Sequence, residues 1–267
     1  MAILTVSREF GCGGSEIGRK TASLMEYEYV DREKILVDLK SAGAKWEEWA
    51  KELDEHCPTV WERYDWSFRG FAALIQSKVL DYALKDRVVI MGRGANFLLN
   101  GIPSAFRVRV IAPVDVRIER IVKRELVGRE TARWLIEKTD RERAGFIHSI
   151  YGKRWDDVSE YDAVFEVTDQ PLDDIVQALK GALTEREQRN TEEVRNALAM
   201  RAAAARVKAG IATNPAFFIP VLDVEAEGDG IVLRGVVHGA REHKRIEEEA
   251  KRLADDLPIR CELHYRS

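Results

Sequence analysis

The chain has 267 residues, 45% of them hydrophobic and 33% charged, with a formal net charge of −4. That balance suits one large globular domain or two smaller ones, and it speaks against a duplex-DNA binder, whose surface would be basic. Three cysteines, Cys12, Cys57 and Cys261, stand far apart with no CxxC spacing, which argues against a disulfide framework or a zinc site.

The chain opens on a short apolar run at 2–6, suited to a fully buried parallel strand. The run is too short for a signal segment, and no stretch approaches the roughly 20 apolar residues that span a bilayer, so a cytoplasmic location is expected. A glycine-rich turn follows at 11–14, and Ile17, Thr21, Ala22 and Leu24 then recur at helical spacing. A second strand is read at 27–30, ending at Asp31, before a helical and irregular stretch at 32–66 that carries Trp46, Trp49, Trp61, Tyr64 and Trp66. These aromatics either line a base pocket or pack the core. An amphipathic helix at 67–85 puts Phe68, Phe71, Ala72, Ile75, Val79 and Tyr82 on one face. Strands at 88–91, 106–112 and 163–167 alternate with helices at 114–126, 129–148 and 172–183, the pattern of parallel strands with crossover helices.

The pattern changes after 184. A charged, alanine-rich helix at 185–210 contains Thr191-Glu192-Glu193-Val194, a capped start. Strands at 219–225 and 231–237 flank Glu227-Gly228-Asp229-Gly230, a hairpin signal, and a helix at 240–256 and a strand at 259–265 follow. Two domains are expected, 1–184 as a three-layer α/β unit with a parallel five-stranded sheet and 185–267 as a small α+β unit in the order α-β-β-α-β.

The segment from Val6 to Gly18 carries the main functional signal. Amides in a glycine-rich turn can point inward at an anion, and the following helix adds its N-terminal N–H groups and dipole. The candidate anion ligands are Gly11, Cys12, Gly13, Gly14, Ser15 and Glu16. The loop does not satisfy G-x-x-x-x-G-K-[ST]: registered on Gly13, the lysine position is Gly14 and only Ser15, at the hydroxyl that meets Mg²⁺, fits. Arg8 is the first candidate to replace the missing cation, because a guanidinium can fork onto a phosphate; the other reading is an ion pair with Glu9 or Glu16.

These residues resemble the opening motif of the cytidylate kinase-like family, Ser7-Arg8-Glu9-Phe10-Gly11-x-Gly13-Gly14-x-x-Ile17-Gly18, which likewise lacks the loop lysine. Three further landmarks recur in order: Tyr29-Val30-Asp31-Arg32-Glu33, Val89-Ile90-Met91-Gly92-Arg93-Gly94-Ala95-Asn96, and Val110-Ile111-Ala112-Pro113 followed by Arg117-Ile118-x-Arg120. Over residues 1–182 the resemblance implies a nucleoside-monophosphate-kinase fold of the P-loop type, with an acceptor-binding insertion after strand 2, a lid after strand 4, and transfer of the ATP γ-phosphate to CMP with Mg²⁺. It implies that Arg93 binds the acceptor monophosphate and that Asp31 contacts the acceptor nucleoside or its sugar. Read from the residues alone, Arg93 could instead satisfy carbonyls at a strand end, and Asp31 could cap the helix that follows. The tail resembles a BON domain through its element order and Ile231-Val232-Leu233-Arg234-Gly235-Val236-Val237, which implies a module for a lipid or other small ligand.

Residues 107–154 hold thirteen Lys/Arg against seven Asp/Glu. Arg117, Arg120 and Arg124 share a helical face, and Asp140-Arg141-Glu142-Arg143 follows. Arg120, Arg141 and Arg143 are the candidate lid arginines that close over the transferred group, the other reading being a solvated charged helix. Met91 precedes Gly92 where an acid would help hold magnesium, so Mg²⁺ would rest on Ser15, the phosphates and water. Two functions remain open at this point: phosphoryl transfer from ATP to a nucleoside monophosphate or another small acceptor, and a non-catalytic nucleotide sensor that reports through the tail.

Overall fold

The opening apolar run forms the middle of a sheet. In the computed structural model, which describes residues 2–40, 46, 58–59, 65–168, 171–219 and 221–265, β1 (Ile3–Arg8) is buried as far as Ser7. It lies between β3 (Val88–Met91) and β4 (Ala105–Ile111), with β2 (Glu28–Val30) beyond β3 and β5 (Ala163–Glu166) beyond β4. All four pairings are parallel. The register sets Val6 against Met91 and Arg8 against Val110, so the carboxyl ends of β1, β3 and β4 meet at one edge.

Parallel strands covered on both faces need no polar alternation, and successive side chains enter different cores. Ile3, Val88, Ile90 and Ala105 pack beneath α3 (Trp66–Leu84) and α4 (Ala95–Leu98). Leu4, Val6, Val89, Met91, Val108 and Val110 face α1 (Gly14–Met25) and α7 (Leu172–Glu187). The chain thus has the three-layer, five-stranded parallel architecture that the alternation of elements predicts. α2 (Arg32–Lys40) buries Ile35 and Leu39 in the α3 core. α5 (Val114–Glu125) and α6 (Arg129–Tyr151) form a hairpin with a small core of their own, Ile118, Ile121, Ala132 and Ile136, against which Phe10 packs.

α3 departs from the sequence reading. It is buried nearly all round, Ser67, Gly70, Ala73 and Ser77 included, rather than along one stripe. The reason is α8 (Glu192–Thr213), which packs along it and adds Leu198 and Ala202 to the same core. The approach is close at Gly70, where a Cβ would lie 2.7 Å from Trp46 Cη2 and 3.1 Å from the Ala212 carbonyl oxygen. Trp46 is accordingly a core residue; Trp49, Trp61 and Tyr64 lie outside the described residues.

The tail is a small α+β unit with a mixed sheet. β6 (Leu222–Glu227) and β7 (Gly230–Val237) form the expected antiparallel hairpin, and β8 (Ile259–Tyr265) adds parallel to β7 after α9 (Ala240–Leu253). Several boundaries move, and two of the shifts have a visible cause. The helix read from 185 is divided: α7 runs on to Glu187, and α8 starts at Glu192, where the Thr191 hydroxyl accepts the Val194 amide at 3.3 Å. The first tail strand begins at Leu222 rather than 219, because Phe217 and Ile219 precede it as core residues beside Val207 and Ile211 of α8. Helix α8 therefore serves two cores, its first half that of the large sheet and its second half that of the small one.

Candidate active site

Beyond β1 the chain turns through 9–13 and enters α1 at Gly14. Gly13 takes φ +91°, a region that side chains rarely adopt, and Gly14 passes so close to β1 that a Cβ there would sit 2.6 Å from Arg8 Cβ. The loop is fastened from outside. The Phe10 amide donates to Asp140 Oδ1 at 2.8 Å, Asp140 Oδ2 accepts from Arg117 Nη1 at 2.5 Å, and Glu9 Oε2 accepts the Ala112 amide at 3.2 Å. Arg117 and Arg109 flank Glu9 at 3.5 and 3.7 Å.

Accounting for the backbone donors identifies what the loop can bind. The Cys12 amide donates to the Glu9 carbonyl, the Gly14 amide to Cys12 Sγ at 3.3 Å, and the Glu16 and Ile17 amides to the Gly13 carbonyl. Among the described residues, the amides of Gly11, Gly13 and Ser15 donate to no protein acceptor. These three belong to residues bordering a cavity of about 450 Å³ at the N-terminus of α1.

Five arginines border the same cavity, Arg8, Arg19, Arg120, Arg124 and Arg143, against Glu9 and Glu16, and no lysine is among the described lining residues. Arg120 Nη1 donates to the Cys12 carbonyl at 2.6 Å, and Arg143 Nη1 donates to the Arg8 carbonyl at 3.1 Å. Arg124 and Arg143 also stack on the Phe10 ring, at 5.0 and 5.8 Å from its centroid. The described lining of the cradle is thus cationic without an ammonium group.

Arg8 and Arg143 also line a second, much smaller cavity of about 20 Å³, together with Ser7, Arg93, Asn96 and Trp155. Arg8 reaches across the end of β3: a Cβ on Gly92 would lie 2.4 Å from its Nη1. Arg93 is 5% exposed, sits at φ +57°, and its carbonyl accepts the Tyr151 hydroxyl at 2.6 Å. Two of the arginines therefore stand between the loop and the turn that carries Arg93.

The predicted residues separate clearly. Gly11, Gly13, Gly14, Ser15, Glu16, Arg8, Arg120 and Arg143 come together at the large cavity, and Arg93 lies behind it. Cys12 does not line either cavity. Its side chain is fully buried, its thiol donates to the Val110 carbonyl at 3.4 Å, and burial raises its pKa. Arg141 lies exposed on α6, outside the cavity lining. Asp31 caps α2, accepting the Lys34 amide at 3.2 Å. Arg117 fixes the loop through Glu9 and Asp140 instead of lining the cavity. Sequence reasoning missed Arg19 and Phe10. Arg19 stands four residues after Ser15, one helical turn along, so its position was legible.

The cavity fits a polyphosphate, with three unengaged amides, an exposed helix start and five guanidinium groups. Its fit to a metal is narrower. Among the described residues no three His, Cys, Asp or Glu side chains converge, Glu16 lies 3.4 Å from Lys20, and Glu9 is already engaged. Of the residues bordering the cavity, Ser15 is the one whose hydroxyl would be offered to Mg²⁺, with the phosphates and water left to complete the shell.

Comparison with known proteins points the same way. The sequence model of the cytidylate kinase-like family matches residues 3–169. A cytidylate kinase from Methanocaldococcus jannaschii is 26% identical over 185 residues, spanning 68% of this chain and 97% of that protein. One from Pyrococcus furiosus is 25% identical over 182 residues, spanning 68% and 88%. The crystal structure of an uncharacterized protein from Eubacterium ventriosum aligns with a TM-score of 0.56 at 20% identity, covering 69% of this chain and 98% of that one, a likeness of fold. No helix among the described residues is long and apolar enough to cross a membrane.

Proposed function

Because this chain belongs to the cytidylate kinase-like family, we propose that it transfers the terminal phosphoryl group of ATP to a nucleoside monophosphate, with CMP as the first acceptor to test. One observation carries the reading: three unengaged amides and five arginines border one cavity, and two of those arginines continue into the pocket of Arg93. The amides of Gly11, Gly13 and Ser15 hold the β-phosphate in a fixed array, so their dipoles need no rearrangement as charge develops. Arg93 holds the acceptor phosphate. An oxygen of that phosphate attacks the γ-phosphorus, the bond to the β–γ bridging oxygen breaks, and ADP leaves with the electron pair. Arg8 and Arg143, placed between the two anions, stabilise the charge spread over the moving group in place of the usual lysine. Arg120 and Arg124 on the α5–α6 lid help exclude water. Magnesium bound with the nucleotide would neutralise charge on the phosphates, with the Ser15 hydroxyl as the chain's ligand for it.

The test is ADP formation across a panel of nucleoside monophosphates with ATP and Mg²⁺, alongside thermal shift with each nucleotide. Turnover that requires both the acceptor and magnesium supports transfer. Stabilisation by ATP with no turnover on any acceptor overturns it and leaves a nucleotide sensor.

A further inference from the structure

Where α3, the end of α6, α8 and the C-terminal sheet meet lies another cavity, half-open and of about 390 Å³. Most of its wall is apolar, including Trp66, Phe68, Ala72, Ile150, Ala212 and Leu222. Its polar groups are few: Arg69, Lys208, Gln76 and Ser149. Two cations and no carboxylate are among the described lining residues, in a chain whose net charge is −4. Lys208 is paired with Asp223 at 3.1 Å, whereas Arg69, exposed on α3, forms no ion pair among the described residues. A concave apolar site of this size, with a small number of placed polar groups, is the common form of a small-molecule pocket.

The cavity also has a physical connection to the phosphate end of the molecule. Gln76 lines it, and part of its wall is the end of α6 that runs into Tyr151, whose hydroxyl donates to the Arg93 carbonyl at 2.6 Å. Ser149 and Ile150, also in its wall, are the residues next to Tyr151 at the end of α6, the helix that presents Arg143. Tyr151 packs directly on the Arg93 turn, since a Cβ on Gly94 would lie 2.1 Å from its Cε2.

We propose that this cavity is a second ligand site for an amphipathic anion, and that its occupancy is transmitted through the end of α6 and Tyr151 to the turn at 92–98. The apolar body lies against Trp66, Phe68 and Ala72, and the acidic head meets Arg69. Only the description of that turn as the acceptor side rests on the kinase reading; the site and the relay do not.

The probe is 1-anilinonaphthalene-8-sulfonate, an aromatic anion of the proposed class, titrated into the full chain by fluorescence. The expected result is saturation at one molecule per chain, at least a tenfold loss of affinity in Arg69→Glu, and loss of that phase in Ala72→Trp, with circular dichroism confirming that both variants are folded. Hydrogen exchange then reads the relay without reference to activity: bound probe changes the exchange of amides 92–98 in the parent, and Tyr151→Phe, which removes the hydroxyl on the Arg93 carbonyl, keeps the probe but loses that change. Probe affinity indifferent to both Arg69→Glu and Ala72→Trp overturns the site. An exchange pattern at 92–98 that ignores the probe, or that responds equally in Tyr151→Phe, overturns the relay. Neither result depends on whether the chain turns over a nucleotide.

Discussion

At Gly13 a side chain would meet a backbone problem before a packing one. The added Cβ would lie 3.5 Å from Arg120 Nη1 and from Leu172 Cδ2, which is ordinary contact, but φ is +91°. Forcing an L side chain into left-handed backbone costs about 1–2 kcal/mol, more for a β-branched one. The loop would relieve that strain by turning its amides. Gly13→Val is therefore expected to weaken ATP binding by about tenfold or more, a loss of roughly 1.4 kcal/mol, while the chain stays folded. Calorimetric titration checks it, and unchanged affinity would remove this loop as the nucleotide site. Arg93→Ala tests the other end: acceptor affinity should fall at least tenfold with ATP affinity nearly intact, measured by separate titrations. The glycines and Arg93 were legible because backbone freedom and strand-end position are written in residue type. The inward turn of Cys12 was not, because it depends on the Val110 carbonyl, ninety-eight positions away.

The α5–α6 hairpin and the loop are joined at one carboxylate. Asp140 on α6 accepts both the Phe10 amide and the Arg117 guanidinium, so the helix and the loop are held in one geometry. Asp140→Ala leaves both donors without that acceptor, at a cost of about 1–3 kcal/mol. The expected outcome is faster hydrogen exchange at 9–12 and a lower kcat with a smaller change in KM; protection at the loop equal to that of the parent would refute the link. The same helix explains why one lid arginine was misplaced. Arg141 and Arg143 are two positions apart, which on an α-helix is about 200° of rotation, so they cannot share a face. The spacing of Ile136, Asp140, Arg143 and Ile147 along one stripe selects Arg143, a discrimination available from periodicity once the inward face is known.

On the scale of the whole chain, α8 links the two sheets. Leu198 and Ala202 sit in the core of the large sheet and Val207 and Ile211 in that of the small one, and Arg206 pairs with Asp81 across α3 at 2.7 Å. Leu198→Ala should cost about 2–5 kcal/mol through lost burial and the cavity left behind. At roughly 2–4 °C per kcal/mol for a chain somewhat smaller than this one, calorimetry should show a drop of about 4–20 °C in a single transition. Two separate transitions, the later one unmoved, would show that the small sheet melts by itself. The sequence pattern revealed the succession of strands and helices in both units, because alternation and turn residues are local. It did not reveal that α3 would be covered on a second face, because that depends on a helix more than a hundred residues away.

The arginine-only lining has a consequence in alkaline solution. A guanidinium keeps its proton at any pH a folded protein normally meets, whereas an amine begins to lose its own near pH 10. Nucleotide affinity should accordingly stay level from about pH 7 to about pH 10, the interval over which a lysine-based cradle would start to fail. The chemistry of inactivation should follow the same division: phenylglyoxal, a dicarbonyl that condenses with guanidines, ought to block the pocket and be held off by ATP, while amine-acylating reagents leave it working.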